Sequence, residues 1–334
     1  MNKALKFIIS AGFSALFLWL AFRKVAVGEV FEAAQEMTFL WILPFTIVIL
    51  LAHYLRAERW KLLLSKEQEG NRLTLFTSVM LGYMLNYAFP RLGEVTRPVY
   101  VARKEKVSSS KLIGTIVLER VVDMLSMALL MVFVGVFLIS DADKLSQILG
   151  TDITDTDASL SILIKLGIYG AVALILVFLG YRLMIVIAKK NDRIKSLFEK
   201  VQNLIKTFIE GVLAIKDLNS WPLFILYTVL IWGCYTLMTF IPFWMFNMQD
   251  IYQLGIVDAL VITVIAAIGI VIPAPGGIGT YHWFTSQALW ILYAVPEVTG
   301  LAYATINHAT SMLVIVAITP LLLFLDKYYS MKKE

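Results

Sequence analysis

The chain has 334 residues, of which 59% are hydrophobic, with a mean hydropathy of +0.79 and a formal net charge of +5. These values exclude an ordinary soluble domain, and the single cysteine, Cys234, excludes an intramolecular disulfide. The basic excess does not signal a nucleic-acid partner, because the lysines and arginines lie in short loops where membrane topology puts them.

Taken in order, the apolar runs predict full membrane spans near 4–22, 39–57, 115–140, 161–187, 222–246 and 300–325. Lys3 and Lys6 precede the first run, but no small-residue cleavage site follows, so it reads as an uncleaved helix rather than a signal peptide. The stretch 56–72 carries Arg56, Arg59, Lys61, Lys66 and Arg72, and 97–111 carries Arg97, Arg103, Lys104, Lys106 and Lys111. Residues 141–157 hold Asp141, Asp143, Asp152, Asp155 and Asp157 against Lys144 alone. Positive-inside bias therefore places the basic stretches and both termini in the cytoplasm and the acidic stretch outside. Residues 192–216 alternate charged and apolar side chains at helical spacing, the pattern of an amphipathic helix on the cytoplasmic surface.

Two segments do not fit as spans. Leu73 to Phe89 is apolar and ends in Pro90-Arg91-Leu92-Gly93-Glu94; Leu254 to Ala274 is apolar and ends in Pro275-Gly276-Gly277-Ile278-Gly279. Proline removes a backbone donor and glycine loosens a helix, so each break frees polar groups that lipid cannot satisfy. Both flanks of 73–96 are basic, so this segment must enter and leave from the cytoplasm. By the same bookkeeping 253–298 enters and leaves from outside. The expected fold is an all-α polytopic membrane protein of about six full spans plus two re-entrant hairpins. It forms one membrane domain with an inverted repeat, 1–140 against 161–325, and a site where the hairpin tips meet. Ordinary kinked spans are the alternative, at the cost of placing 97–111 outside.

Charged groups at membrane depth cost about 2.5–3.5 kcal/mol each and so face a partner or a cavity. Arg91, Glu94 and Arg97 recur every three residues, which in a helix puts them on one face. Their two guanidiniums and one carboxylate leave a net positive charge, with planar forks suited to phosphate. Asn86 and Tyr87 add neutral hydrogen-bonding groups just upstream. Glu119 and Asp123 lie four apart on the next span, and Arg120 can reach Asp123. A structural ion pair of Glu119 or Asp123 with Arg91 or Arg97 is equally consistent with the spacing. Gly276, Gly277 and Gly279 would expose backbone N–H groups at a helix start, an anion site. Tyr281 and His282 follow in the first turn. Asn307, His308 and His53 lie within spans, where a histidine is usually a packing residue.

At these residues the chain resembles a known family. PRLGEVTRP at 90–98, LERVVDM at 118–124 and PAPGGIG at 273–279 resemble the lysylphosphatidylglycerol synthase transmembrane-region family. That family includes the flippase domain of the multiple peptide resistance factor and stand-alone membrane proteins. The residues matching its pattern are Arg91, Gly93, Glu94, Arg97, Pro98, Glu119, Arg120, Asp123, Pro275, Gly276, Gly277 and Gly279. The resemblance implies a flippase-like lipid carrier of the bacterial inner membrane. Many members carry an acidic residue shortly after the glycine tip, where this chain has Tyr281-His282, which bears on the cargo. No soluble synthase domain is expected within the sequence, hence no lysine transfer.

The expected function is movement of an anionic, phosphate-bearing lipid across the inner membrane, its cargo a phospholipid or a polyprenyl-phosphate-type lipid. The candidate substrate-binding residues are Arg91, Glu94, Arg97, Glu119, Arg120, Asp123, Asn86, Gly276, Gly277, Gly279 and His282. Neither enzyme activity, cofactor nor metal is expected: there is no HExxH, no P-loop and no nucleophile paired with a base. The alternatives are a scaffold that docks an envelope-synthesis enzyme, a lipid-modifying enzyme, and a small-solute transporter.

Overall fold

A computed structural model of the chain describes residues 3–64, 70–89, 91–140 and 220–331. Among these the secondary structure is helical throughout, with no strand. Residues 1–134 and 218–334 form one compact unit and 135–217 another, of which only the end of one helix is described. The expected span at 161–187, the acidic stretch at 141–157 and the amphipathic helix at 192–216 lie outside the described residues.

Helix α1 (Lys3–Phe22) turns by 72° into the short α2 (Val27–Gln35). A single 3-10 turn, Phe39–Trp41, leads into α3 (Ile42–Lys61). The third helix runs four residues past the expected end of its span at 57. Arg56 and Arg59 are therefore not loop residues: both are buried on the helix. Its two faces explain this. Leu43, Ile47, Leu51 and Tyr54 form an exposed stripe, while Phe45, Ile49, His53, Arg56 and Trp60 are buried. Apolar side chains outside and charges inside is the arrangement of a helix solvated by lipid.

Helices α4 (Arg72–Ala88) and α5 (Leu92–Glu105) come next. Asn71 caps the first by accepting the Leu73 N–H at 3.1 Å. The helix stops at Phe89, which is extended, as the residue ahead of a proline is driven to be. The two helices then fold back on each other. A Cβ on Gly93 would stand 2.0 Å from the Gly82 carbonyl oxygen, so the arms cross backbone to backbone near the break. At the far end the Asn71 N–H donates to Glu105 Oε1 at 3.1 Å. Start and finish of the pair lie together, which makes it an antiparallel hairpin.

Helix α6 (Ser109–Ser140) follows, and after the undescribed stretch come α7 (Trp221–Met245) and the one-turn α8 (Met248–Ile251). The second broken segment consists of α9 (Ile256–Val271), a 3-10 turn at Pro275–Gly277 and α10 (Thr280–Tyr293). Helix α9 ends at Ile272, again extended and again before a proline. A Cβ on Gly269 would lie 3.0 Å from the Thr280 carbonyl oxygen, and Leu254 and Val295, at the two outer ends, share one buried cluster. The last helix, α11 (Glu297–Met331), is longer than the expected 300–325.

Among the described residues four helices, Phe39–Lys61, Leu112–Leu138, Trp221–Met245 and Glu297–Met331, are long and apolar enough to cross a membrane, five if the bent α1–α2 pair counts as one. The protein is a multi-pass, all-helical membrane protein. Its central cluster joins Phe45 and Ile49 of α3, Met80 of α4, Ile241 and Met245 of α7, and Ile315 and Leu322 of α11. Helices from the two ends of the chain thus share one core, and the charged site lies beside it.

Candidate functional site

The charged residues meet where α3, α5, α6 and α7 converge. Glu119 on α6 is fully buried. Arg97 of α5 holds it with both guanidinium ends, Nη1 to Oε1 at 3.2 Å and Nη2 to Oε2 at 3.1 Å. Arg56 Nε lies 2.7 Å from Oε1, and Arg59 Nη2 stands 3.7 Å away. One turn on, Asp123 accepts from Arg56 and, at 2.5 Å, from Arg59. The arginines are held in turn. Arg97 stacks 4.6 Å above the Trp60 ring. Arg56 donates to the Tyr235 hydroxyl at 2.9 Å, and Arg59 to Thr228 Oγ1 at 3.3 Å.

This is a closed ionic core. A buried carboxylate, Glu119, and a partly buried one, Asp123, four residues apart on one face of α6 each meet guanidiniums from α3, and bidentate geometry of the Arg97 kind is what repays the desolvation of buried charges. The expected pairing of Arg97 with Glu119 is present; that of Arg91 with either carboxylate is not.

The outer edge of the cluster is open. Glu94 Oε1 lies 3.4 Å from Arg120 Nε, both side chains 36% exposed, and Arg120 Nη1 is 3.8 Å from Asp123. Four guanidiniums (Arg56, Arg59, Arg97, Arg120) face three carboxylates (Glu94, Glu119, Asp123), leaving one positive charge in excess. Arg91 sits apart at the hairpin apex. It adopts left-handed backbone with φ 65°, so it does not share a helical face with Glu94 and Arg97. It is exposed and makes no ion pair among the described residues. Around it lie exposed apolar side chains, Phe89, Leu92 and Val95. Asn86 serves the hairpin itself, accepting the Gly93 N–H at 2.7 Å.

The second apex is built differently. Gly276, Gly277 and Gly279 all have positive φ, 58°, 76° and 87°. Their backbone does not form the expected open anion site. The Gly277 N–H donates to Ala274 O at 3.0 Å, the Ile278 N–H to Pro275 O at 3.0 Å, and the Gly279 N–H to His282 Nδ1 at 3.3 Å. His282 is a cap. His308 Nε2 donates to Gly276 O at 3.0 Å, fastening the apex to α11, and the two imidazoles lie 5.1 Å apart. The apices touch: a Cβ on Gly276 would come within 2.8 Å of the Tyr87 ring. Among the described residues no three His, Cys, Asp or Glu side chains gather as a metal-binding set.

Sequence reasoning did not find Arg56 and Arg59, which supply most of the charge that balances Glu119 and Asp123. Their signal was the three-residue spacing from His53 through Arg56 to Arg59, continuing the buried face of α3 into what looked like a loop.

The family model described as Lysylphosphatidylglycerol synthase TM region matches residues 5–319. The UPF0104 membrane protein MJ1078 of Methanocaldococcus jannaschii is 25% identical over 193 residues, covering 58% of this chain and 73% of that protein. No solved structure matches the chain.

Proposed function

The chain belongs to the lysylphosphatidylglycerol synthase TM-region family, and from that premise we propose that it carries an anionic, phosphate-bearing lipid or lipid-linked intermediate between the leaflets of a bacterial inner membrane. It acts as a carrier and not as an enzyme. In this reading the two broken segments, expected at 73–96 and 253–298, are re-entrant hairpins entering from the cytoplasm and from outside, the second arm of the first running on to Glu105. With six full spans they make an inverted repeat, and both termini are cytoplasmic. Helix lengths support the hairpins: the arms α4 and α5, of 17 and 14 residues, are about 25 and 21 Å long, short of the ~30 Å hydrocarbon core.

One observation carries the cargo assignment. Each arginine of the ionic core has a carboxylate, whereas Arg91, at the apex where the two hairpins touch, has none among the described residues and is exposed beside apolar Phe89, Leu92 and Val95. A guanidinium at that depth costs about 2.5–3.5 kcal/mol unless an anion joins it. A lipid phosphate supplies the anion, and its acyl chains suit the apolar surroundings. Arg91 is thus the cargo contact, with Arg120 and Glu94 at the edge. Arg97, Arg56, Arg59, Glu119 and Asp123 form the scaffold that fixes the first hairpin to α3 and α6.

The test is leaflet exchange in liposomes holding the purified protein, with phosphatidylglycerol, its lysyl ester, a polyprenyl phosphate and a neutral lipid. A phosphate lipid should exchange faster than in empty liposomes, and Arg91→Gln should remove most of that gain. Exchange of no lipid by a folded protein would reject the carrier and favour a scaffold for an envelope-synthesis enzyme.

A further inference from the structure

A second cluster of charges stands where α1 ends and α11 begins. The end of α1, the second arm of the second hairpin and the start of α11 surround a small cleft that opens to the surface. Arg23, Lys24, Trp283, Ser286, Gln287 and Glu297 line it. Lys24 Nζ is 3.0 Å from Glu297 Oε1 and 5.4 Å from the Trp290 ring. The Arg23 guanidinium lies 5.7 Å from the Trp19 ring and makes no ion pair among the described residues. Ser286 spends its hydroxyl on the Trp283 carbonyl, while Arg23 and Gln287 bring a guanidinium and an amide to the lining. In the following turn the Glu29 carboxylate accepts the Ala26 N–H at 2.9 Å.

The level of the cleft follows from its aromatic residues. Trp19 and Trp290 are 59% and 44% exposed, and exposed tryptophans beside cations mark the boundary between hydrocarbon and water. Its side follows from α11. Glu297 starts that helix, and Asp326 near its end is bound by Thr74 and by Lys104 at the mouth of the first hairpin. The two positions are 29 residues apart, about 44 Å of helix, so the cleft and the mouth of the first hairpin face opposite sides of the bilayer.

We propose that this cleft is a second phosphate site, which holds a lipid headgroup at the membrane face opposite the mouth of the first hairpin. Arg23 and Lys24 against Glu297 leave one positive charge, the same balance as Arg91 and Arg120 against Glu94. At the interface the abundant anion is a lipid phosphodiester, which can meet the exposed Arg23 and Lys24 at the mouth of the cleft. The guanidinium offers it a planar fork, the Gln287 amide a neutral donor, and the tryptophans hold the glycerol level. Lys24 is released from Glu297 as the phosphate arrives. The role of the cleft as a transfer station rests on the carrier reading; binding itself does not.

The experiment is photo-crosslinking from position 287. Full-length Gln287→p-benzoylphenylalanine protein is placed in phosphatidylcholine vesicles containing about one fifth phosphatidylglycerol, at about 0.5 M salt to screen diffuse attraction. Crosslinked lipid is identified by mass spectrometry. The ratio of crosslinked phosphatidylglycerol to phosphatidylcholine should exceed that of the vesicles about fivefold, the effect of roughly one cation at a membrane surface. Adding Arg23→Gln and Lys24→Gln should return it to that of the vesicles, and Glu297→Gln, which frees Lys24, should raise it. Crosslinks that follow the mole fraction while Arg23, Lys24 and Glu297 are intact, or that ignore both changes, would overturn the site. Loss of enrichment in about 10 mM inorganic phosphate would reassign it to a soluble anion. Enrichment without leaflet exchange would keep the site and reject the carrier; exchange without enrichment would do the reverse.

Discussion

Arg91 and Arg97 belong to one short helix and its cap, yet their surroundings are opposite. Arg97 is buried, bidentate on Glu119 and stacked on Trp60, while Arg91 is exposed with no ion pair among the described residues. Different consequences follow for their variants. Glu119→Gln leaves Arg97 buried without a carboxylate and should cost about 3–5 kcal/mol, visible as a large loss of thermal stability in detergent, whereas Arg97→Gln leaves Glu119 with Arg56 and Arg59 and should cost less. The double variant should cost clearly less than the sum of the two. Additive losses would mean that the pair is not coupled. Arg91→Gly should behave the other way. It relieves a left-handed backbone at φ 65°, a strain of about 1 kcal/mol for a side-chain-bearing residue. Stability should hold or rise by up to that amount while lipid exchange falls, and unchanged exchange would remove Arg91 from the site. The sequence made Glu119, Asp123 and Arg97 legible because charges within apolar runs demand partners. It hid Arg56 and Arg59, because a basic residue at the end of an apolar run reads as a loop cation whether the helix stops before it or carries it inside.

At the scale of elements, each break begins with the same device, an extended residue ahead of a proline, and each hairpin closes through residues eleven positions apart, Gly82 with Gly93 and Gly269 with Thr280. Gly93 sets the limit of approach. Gly93→Ala places a Cβ 2.0 Å from the Gly82 carbonyl oxygen, a backbone atom that cannot rotate away, and should cost about 3 kcal/mol. Gly28→Ala in α2 is the control. Nothing lies within 4 Å of its Cβ, so helix propensity alone should act and stabilise by about 0.5–1 kcal/mol. Equal effects of the two changes on unfolding would contradict the close crossing. The prolines and glycines announced these breaks from sequence. What held the hairpins in place was not visible. Asp326 of α11 accepts the Thr74 and Tyr100 hydroxyls and lies 3.1 Å from Lys104, binding both arms of the first hairpin across more than two hundred residues. Neither periodicity nor charge counting reports contacts of that range. The same holds for His282, whose place after the glycines suggested a ligand and whose Nδ1 caps Gly279 instead.

At the scale of the molecule, helices from the two ends of the chain share one core, and the hairpin apices meet at Tyr87 and Gly276. The cleft of Arg23 and Lys24 stands at the start of α11, and the mouth of the first hairpin at its end. A lipid carrier needs such a layout, with a polar apex reached from one face and a receiving site at the other. The claim on which this depends is that the two hairpins enter from opposite faces. It can be read by labelling single cysteines with an impermeant maleimide in intact and opened cells, after Cys234→Ser removes the native thiol. Asn71→Cys and Lys106→Cys flank the first hairpin; Gln253→Cys and Pro296→Cys flank the second, and all four positions are exposed. The account predicts that the first pair labels only when the cytoplasm is opened and the second pair labels in intact cells. Labelling of Asn71→Cys and Lys106→Cys from different faces, or of all four from the same face, would contradict the inverted hairpins and with them the carrier.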